Sequence, residues 1–166
     1  WTHDHLSVLQ CAFLQSLPLT ATLGDILLVH ATADDPPAWY YVRDARQAAR
    51  SLDAACAGGG IRYVFGGHVH EQRLWFAGRR GDLLPFAPTP GAPIALPRHR
   101  RWLATIGSVG QPRDHDTRAG YALWEDTDPP QLTFFRVPYD HVAEAQAVRA
   151  TDLPAAKARA KSNLDA

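Results

Sequence analysis

Apolar positions change their spacing several times along the chain, and each change marks an element. Over residues 6–17 they fall at Leu6, Leu9, Phe13, Leu14 and Leu17, close to helical spacing. Pro18 closes that segment because it has no N–H with which to continue a helix. Residues 19–23 read as a short strand that turns back through Gly24-Asp25 onto Ile26-Leu27-Leu28-Val29. The second run is continuously apolar, the pattern of a central strand covered on both faces, and it stops abruptly at His30. Residues 32–37 are rich in Asp and Pro and form a loop, which Trp39, Tyr40 and Tyr41 follow. The Ala-rich segment 44–56 is helical and ends at Gly58-Gly59-Gly60. Residues 62–65 supply the next strand, since Tyr63, Val64 and Phe65 are aromatic or β-branched. The resulting β-loop-α-β order is that of an α/β protein.

The pattern then shortens. Residues 73–77 and 83–86, separated by Gly78-Arg79-Arg80-Gly81, read as a hairpin. Residues 85–97 carry five prolines and one glycine and are expected to be a surface loop. Residues 101–106 form a strand that runs into a glycine-rich stretch, and 121–124 and 132–137 are two more strands around a turn at 126–130. From Asp140 onward the chain is Ala-rich and charged with a break at Pro154, which predicts two short helices on the outside. There are no internal repeats and no low-complexity segment.

Composition narrows the class. A chain of 166 residues is one domain with room for a real core. Lys plus Arg and Asp plus Glu both number 17, and no basic stripe argues for a nucleic-acid backbone. Cys11 and Cys56 lie within helical segments without metal-type spacing and are expected to be buried thiols in a reducing compartment. No apolar run reaches the length of a membrane span, so a soluble cytoplasmic protein is the expectation. The chain starts at Trp1 and contains no methionine, which suggests the later part of a longer polypeptide.

Chemistry concentrates where strands end. Gly67-His68-Val69-His70 follows one strand and His30 ends another. Side chains two residues apart project to the same side of an extended segment, so His68 and His70 are expected to face one way. Ligands in open α/β sheets gather at the carboxyl ends of strands, and three imidazoles there suit a transition-metal ion or a pair of ions. Trp39, Tyr40 and Tyr41 could wall a substrate pocket or pack the loop on the core. A third region is Gly107-Ser108-Val109-Gly110-Gln111-Pro112-Arg113, continuing to Arg118. Its backbone amides at Gly107, Ser108 and Gly110 could form an anion-binding concavity. Arg113 and Arg118 could hold phosphate bidentately, whereas His115 and Asp116 read as surface residues.

Taken together, Leu27-Leu28-Val29-His30, Gly67-His68-Val69-His70 and the 107–113 motif resemble the calcineurin-like metallophosphoesterases. The resemblance is closest to the compact bacterial branch related to diadenosine tetraphosphatases and small phosphodiesterases. It runs from about residue 6 to the C-terminal helices and implies an α/β fold, a ββ sandwich flanked by helices. It also implies a hydrolase of phosphate esters, with a nucleotide as one plausible substrate. Two divalent ions (manganese, iron, zinc or nickel) would polarise the phosphoryl oxygens and supply a hydroxide for in-line attack. His30 and His68 would bind one ion and His70 the other, with backbone carbonyls or carboxylates orienting the rings.

The chain also departs from that family. The Asp-x-His, Gly-Asp and Asn-His-Asp or Asn-His-Glu motifs that precede these elements in the family are not in the sequence. Trp1-Thr2-His3-Asp4-His5 is only superficially similar to the last of them, and Ala31 stands where many relatives have glycine. The expectation is therefore a C-terminal portion of the fold that supplies histidine ligands, has no catalytic residue of its own, and needs a missing N-terminal segment or a second chain. An exposed sheet edge and apolar surface should result. Two alternatives stay open: a non-catalytic scaffold or interaction module, and a mononuclear site drawing on Asp34 or Asp35.

Overall fold

The computed structural model describes residues 2–78 and 82–151. Helix α1, Val8–Ser16, starts at a capping box in which the Ser7 hydroxyl accepts from the Gln10 N–H and the Gln10 side chain accepts from the Ser7 N–H. Strands β1, Thr20–Leu23, and β2, Ile26–Val29, form an antiparallel pair around Gly24, whose φ of 59° suits the turn. Helix α2, Ala45–Cys56, is capped by Asp44, whose carboxylate accepts from the Gln47 N–H. Then come β3, Tyr63–Gly66, β4, Gln72–Ala77, and β5, Leu83–Phe86. They are followed by β6, Pro93–Ala95, β7, Trp102–Ile106, β8, Ala119–Glu125, β9, Gln131–Val137, and helix α3, His141–Arg149.

Two sheets result. Six strands run in the order β1-β2-β3-β7-β4-β5, and three in the order β6-β9-β8. Strands β2, β3 and β7 are parallel neighbours, and the others are joined antiparallel. One face of the large sheet packs on the small sheet, with Ile26, Tyr63, Leu74 and Trp102 against Leu96, Leu132 and Phe134. Its other face is covered by α2, where Ala48 and Leu52 meet Val64, Trp75 and Leu103. Burying each such large side chain is worth about 1.5–3 kcal/mol.

Most of the proline-punctuated stretch 85–97 lies on the surface as expected, yet it is not all loop. Strand β6 pairs with β9 as an edge, where proline's missing N–H faces no partner, and Leu96 is fully buried. Strand β2 is not covered on both faces either, because Leu28 is 43% exposed. Cys11 and Cys56 are half-buried, and the Cys56 thiol donates to the Ile61 carbonyl at 3.2 Å. Helix α1 buries none of its residues: Val8, Leu9 and Phe13 are 85%, 82% and 62% exposed, and every residue of β1 is exposed as well. The expected open edge is thus present. The second C-terminal helix falls outside the described residues, and none of the described helices is long and apolar enough to cross a membrane.

Candidate functional site

Because β2, β3 and β7 run parallel, the segments leaving them meet at one end of the sheet. His30 leaves β2, the Gly67-His68-Val69-His70 turn leaves β3, and residues 107–118 leave β7. Gly66 permits the first two to approach: a Cβ there would stand 3.1 Å from the Val29 carbonyl oxygen and 3.3 Å from that of Ala31. The Gly67 N–H then donates to the His30 carbonyl at 3.0 Å.

This approach sets His30 Nε2 3.0 Å from His68 Nδ1. That contact is a hydrogen bond between the rings; two imidazole nitrogens about 2.1 Å from one ion stand about 3.0 Å apart at octahedral angles and about 3.4 Å apart at tetrahedral ones, so the spacing is close to what one shared divalent cation needs. His68 and His70 have φ of 57° and 64°, a left-handed conformation that costs a residue with a Cβ about 1–2 kcal/mol. Strand alternation therefore does not aim them. They flank buried Val69 in a turn closed by the Val69 N–H on the Gly67 carbonyl at 2.6 Å.

Each of these two rings is tied to backbone. His70 Nδ1 lies 2.7 Å from the Gln111 carbonyl oxygen. A carbonyl only accepts, so Nδ1 carries the proton and Nε2 keeps its lone pair. Burial lowers the His70 pKa; the Gln111 bond opposes that, while Arg113 and His30 add to it. His68 is lowered by burial first, then by His30, His70 and Arg113, against a hydrogen bond with the Trp39 backbone. Both rings are neutral at pH 7, the state in which imidazole binds a metal. Gln111 and Trp39 are the backbone partners that sequence reasoning could not name, because a carbonyl acceptor leaves no residue-type signal.

Aromatic side chains close one side. Tyr41 stacks on His68 with centroids 4.2 Å apart, and Trp39, at φ 54°, lies 4.6 Å from His30 and 5.6 Å from His68.

Residues 107–118 lie beside the histidine turn and bond both to it and to themselves. Gly107 has φ 96°, and a Cβ there would meet Gln72 Cγ at 2.9 Å. The Ser108 hydroxyl accepts from the Gln111 N–H at 3.0 Å, and Gly110 faces open space. The Arg113 N–H donates to the His70 carbonyl at 3.1 Å. Its exposed guanidinium forms no ion pair among the described residues, yet its charge acts on both His68 and His70. Arg118 differs, since its guanidinium forks onto the Asp116 carboxylate at 2.7–3.2 Å. That bond holds the Asp116 carboxyl at about 2. His115 is exposed as expected, but Asp116 is half-buried between Arg118 and Arg136.

Sequence reading missed the anchor of this region. Gln72 is buried, donates to the Tyr121 and Phe135 carbonyls at 3.2 and 3.1 Å, and accepts from Arg136 Nε at 2.9 Å. The Arg136 side chain is 5% exposed and pairs with Asp114. The two sheets are thereby pinned beside the loop that orients His70. Asp34 is occupied by an ion pair with Arg50, Asp35 is exposed, and His3 is exposed in a short 3-10 turn. Among the described residues, no group of three or more His, Cys, Asp or Glu side chains converges as a metal site.

No protein-family model matches the chain. It is 28% identical over 144 residues to an uncharacterised protein of Methanocaldococcus jannaschii, covering 84% of this chain and 54% of that protein. It is also similar to the crystal structure of a metallophosphoesterase from Sphaerobacter thermophilus, with a TM-score of 0.82 and 30% identity, over 96% of this chain and 62% of that one. The chain thus spans little more than half the length of the first and under two thirds of the second. Its fold is a mixed α/β sandwich flanked by helices, matching that of a calcineurin-like metallophosphoesterase.

Proposed function

We propose that these residues are the histidine-bearing part of a metal-dependent phosphoesterase. The observation that carries the reading is the pair of ring nitrogens, His30 Nε2 and His68 Nδ1, 3.0 Å apart at the ends of adjacent parallel strands. His30 and His68 would hold one ion, and His70 would offer its Nε2 to a second. When bound, such ions polarise phosphoryl oxygens and lower the pKa of water. Histidines alone leave the charge of two cations uncompensated, so the carboxylate ligands come from polypeptide other than the described residues.

The chain's own groups do the rest. Gln111 fixes the His70 tautomer. Tyr41 and Trp39 shield the His30–His68 pair from water on one side. Arg113, with no carboxylate partner among the described residues, draws in and orients the phosphate. Arg118 steadies the loop through Asp116.

The test is elemental analysis of the full-length protein together with hydrolysis of bis-p-nitrophenyl phosphate. About two divalent ions per chain are expected, with both metal content and turnover falling in His68→Ala. Absence of metal and of turnover after supplementation with manganese, zinc, iron and nickel would leave a scaffold.

A further inference from the structure

His68 leaves its strand at φ 57°, so neither a strand pleat nor a helix face aims its ring. The side-chain torsions stay free to change rotamer unless something packs against the imidazole. One edge of the ring is met by His30 at 3.0 Å and by a hydrogen bond with the Trp39 backbone. Its flat face lies on Tyr41, with centroids 4.2 Å apart and planes 26° from parallel. The Trp39 ring is further off, at 5.6 Å, and meets His68 edge-on.

Tyr41 is itself firmly held. Its neighbour Val42 is 3% exposed, and the Tyr41 ring packs on the same core cluster beneath α2. The Arg43 N–H donates to Gln47 Oε1 at 2.9 Å, which ties the next residue to the first turn of α2. The Arg43 guanidinium then sits 4.1 Å above the Tyr41 ring, an attractive cation–π contact. Two groups that close cannot share one face, so Arg43 and His68 sandwich Tyr41. The neighbouring tyrosine is employed differently. Arg50 lies 5.8 Å over the Tyr40 ring, but Asp34 holds that guanidinium in an ion pair. Tyr40 is half exposed and stacks on no histidine among the described residues.

We infer that Tyr41, backed by Arg43, is the positioning residue for His68, fixing its ring so that Nδ1 stays turned toward His30. The inference rests on the phosphoesterase reading, in which that pair holds one ion, and names what preorganises the pair. A ring oriented in advance spares the site the cost of ordering it when an ion arrives. The contact uses the face of Tyr41, so its hydroxyl is dispensable. His70 is held by Gln111 instead, so its ion should be indifferent to Tyr41.

The experiment is titration of the full-length protein, stripped of metal by chelation, with cobalt(II) alone, followed by visible absorption. In Tyr41→Leu one binding step is expected to weaken about threefold to tenfold, the range of an aromatic stack, while the other holds. Tyr41→Phe should keep wild-type affinity, and Tyr40→Leu should alter neither step. Arg43→Gln should weaken the same step as Tyr41→Leu by about twofold. Unchanged affinity in Tyr41→Leu, an equal loss in Tyr41→Phe, or equal weakening of both steps would each overturn the inference. Should Tyr41→Leu fail to fold by circular dichroism, Arg43→Gln decides in its place, and an unchanged first step there would overturn it too. Proton NMR of the metal-free protein separates the two claims. The Tyr41 ring current should move the His68 ring protons upfield in wild type and Tyr41→Phe, and Arg43→Gln should reduce that shift. Such a shift in a protein that binds no cobalt removes the phosphoesterase and keeps the support of the ring. Cobalt binding and turnover of bis-p-nitrophenyl phosphate that ignore Tyr41→Leu do the reverse.

Discussion

The segment leaving β3 and the segment leaving β7 are neighbours at one end of the sheet, yet they are stabilised in opposite ways. The Gly67-His68-Val69-His70 turn holds two non-glycine residues at positive φ and sets the His68 ring against His30. Residues 107–118 satisfy themselves: Ser108 bonds Gln111, Asp116 bonds Arg118, and Asp114 bonds the buried Arg136. One segment stores strain and keeps the His70 Nε2 lone pair unused; the other lends its Gln111 carbonyl and Arg113 N–H to fixing the first. A site that must hold a ligand requires both, because strained donors stay in place only when their surroundings over-determine them.

The sharpest way to break this contrast is Arg136→Ala. Removing a buried guanidinium leaves the Asp114 carboxylate and Gln72 Oε1 without that donor, and an unfolding free energy lower by about 3–5 kcal/mol is expected in urea titrations. A change below 1 kcal/mol would show that the loop does not depend on that anchor. Next comes Gly107→Ala, where a methyl 2.9 Å from Gln72 Cγ combines with φ 96°. A loss of about 1–3 kcal/mol is expected, with weaker metal retention because the Gln111 carbonyl moves.

His68→Gly should behave differently from both. It loses the Tyr41 stack, but glycine relieves about 1 kcal/mol of left-handed strain, so thermal denaturation should register a change under about 1 kcal/mol while metal binding falls sharply. A stability loss matching that of Arg136→Ala would erase the distinction between the two segments.

The smallest effect concerns acid. Arg118 pulls the Asp116 carboxyl from 3.8 to about 2, so the pair contributes its full stability above the unfolded value. That contribution is lost as pH falls through the folded one. In Asp116→Asn the stability profile between pH 4 and 2 should flatten slightly, by less than a buried pair would give, since both partners are partly solvated. An unchanged acid limb would mean that the fork is broken in solution.

Much of this was legible in the chain. An apolar run that ends in histidine marked β2, and one that ends in two glycines ahead of histidine marked β3; their parallel pairing makes His30 and His68 neighbours. What could not be read was of two kinds. Leu96 reaches the core from a proline-rich stretch because an edge strand tolerates proline, and nothing local distinguishes such an edge from a loop. Gln72 and Arg136 lie 64 residues apart, and their hydrogen bond depends on how the two sheets stack, which no local pattern encodes. The left-handed backbone of His68 and His70 is of the same kind, a product of packing around Val69.

Gln72 has a consequence for heredity as well. It presses on Gly107 and Gly120, where an added Cβ would stand 2.9 and 3.0 Å from its side chain, while its amide carries Arg136. Positions 72, 107, 120 and 136 sit on separate segments of the chain, yet none can drift by itself. A lineage that shortened Gln72 would take one acceptor from the arginine, and one that enlarged either glycine would press on the glutamine side chain. A change at any one of the four would call for compensation at another, and a transplant of the histidine turn into another scaffold would have to carry all four.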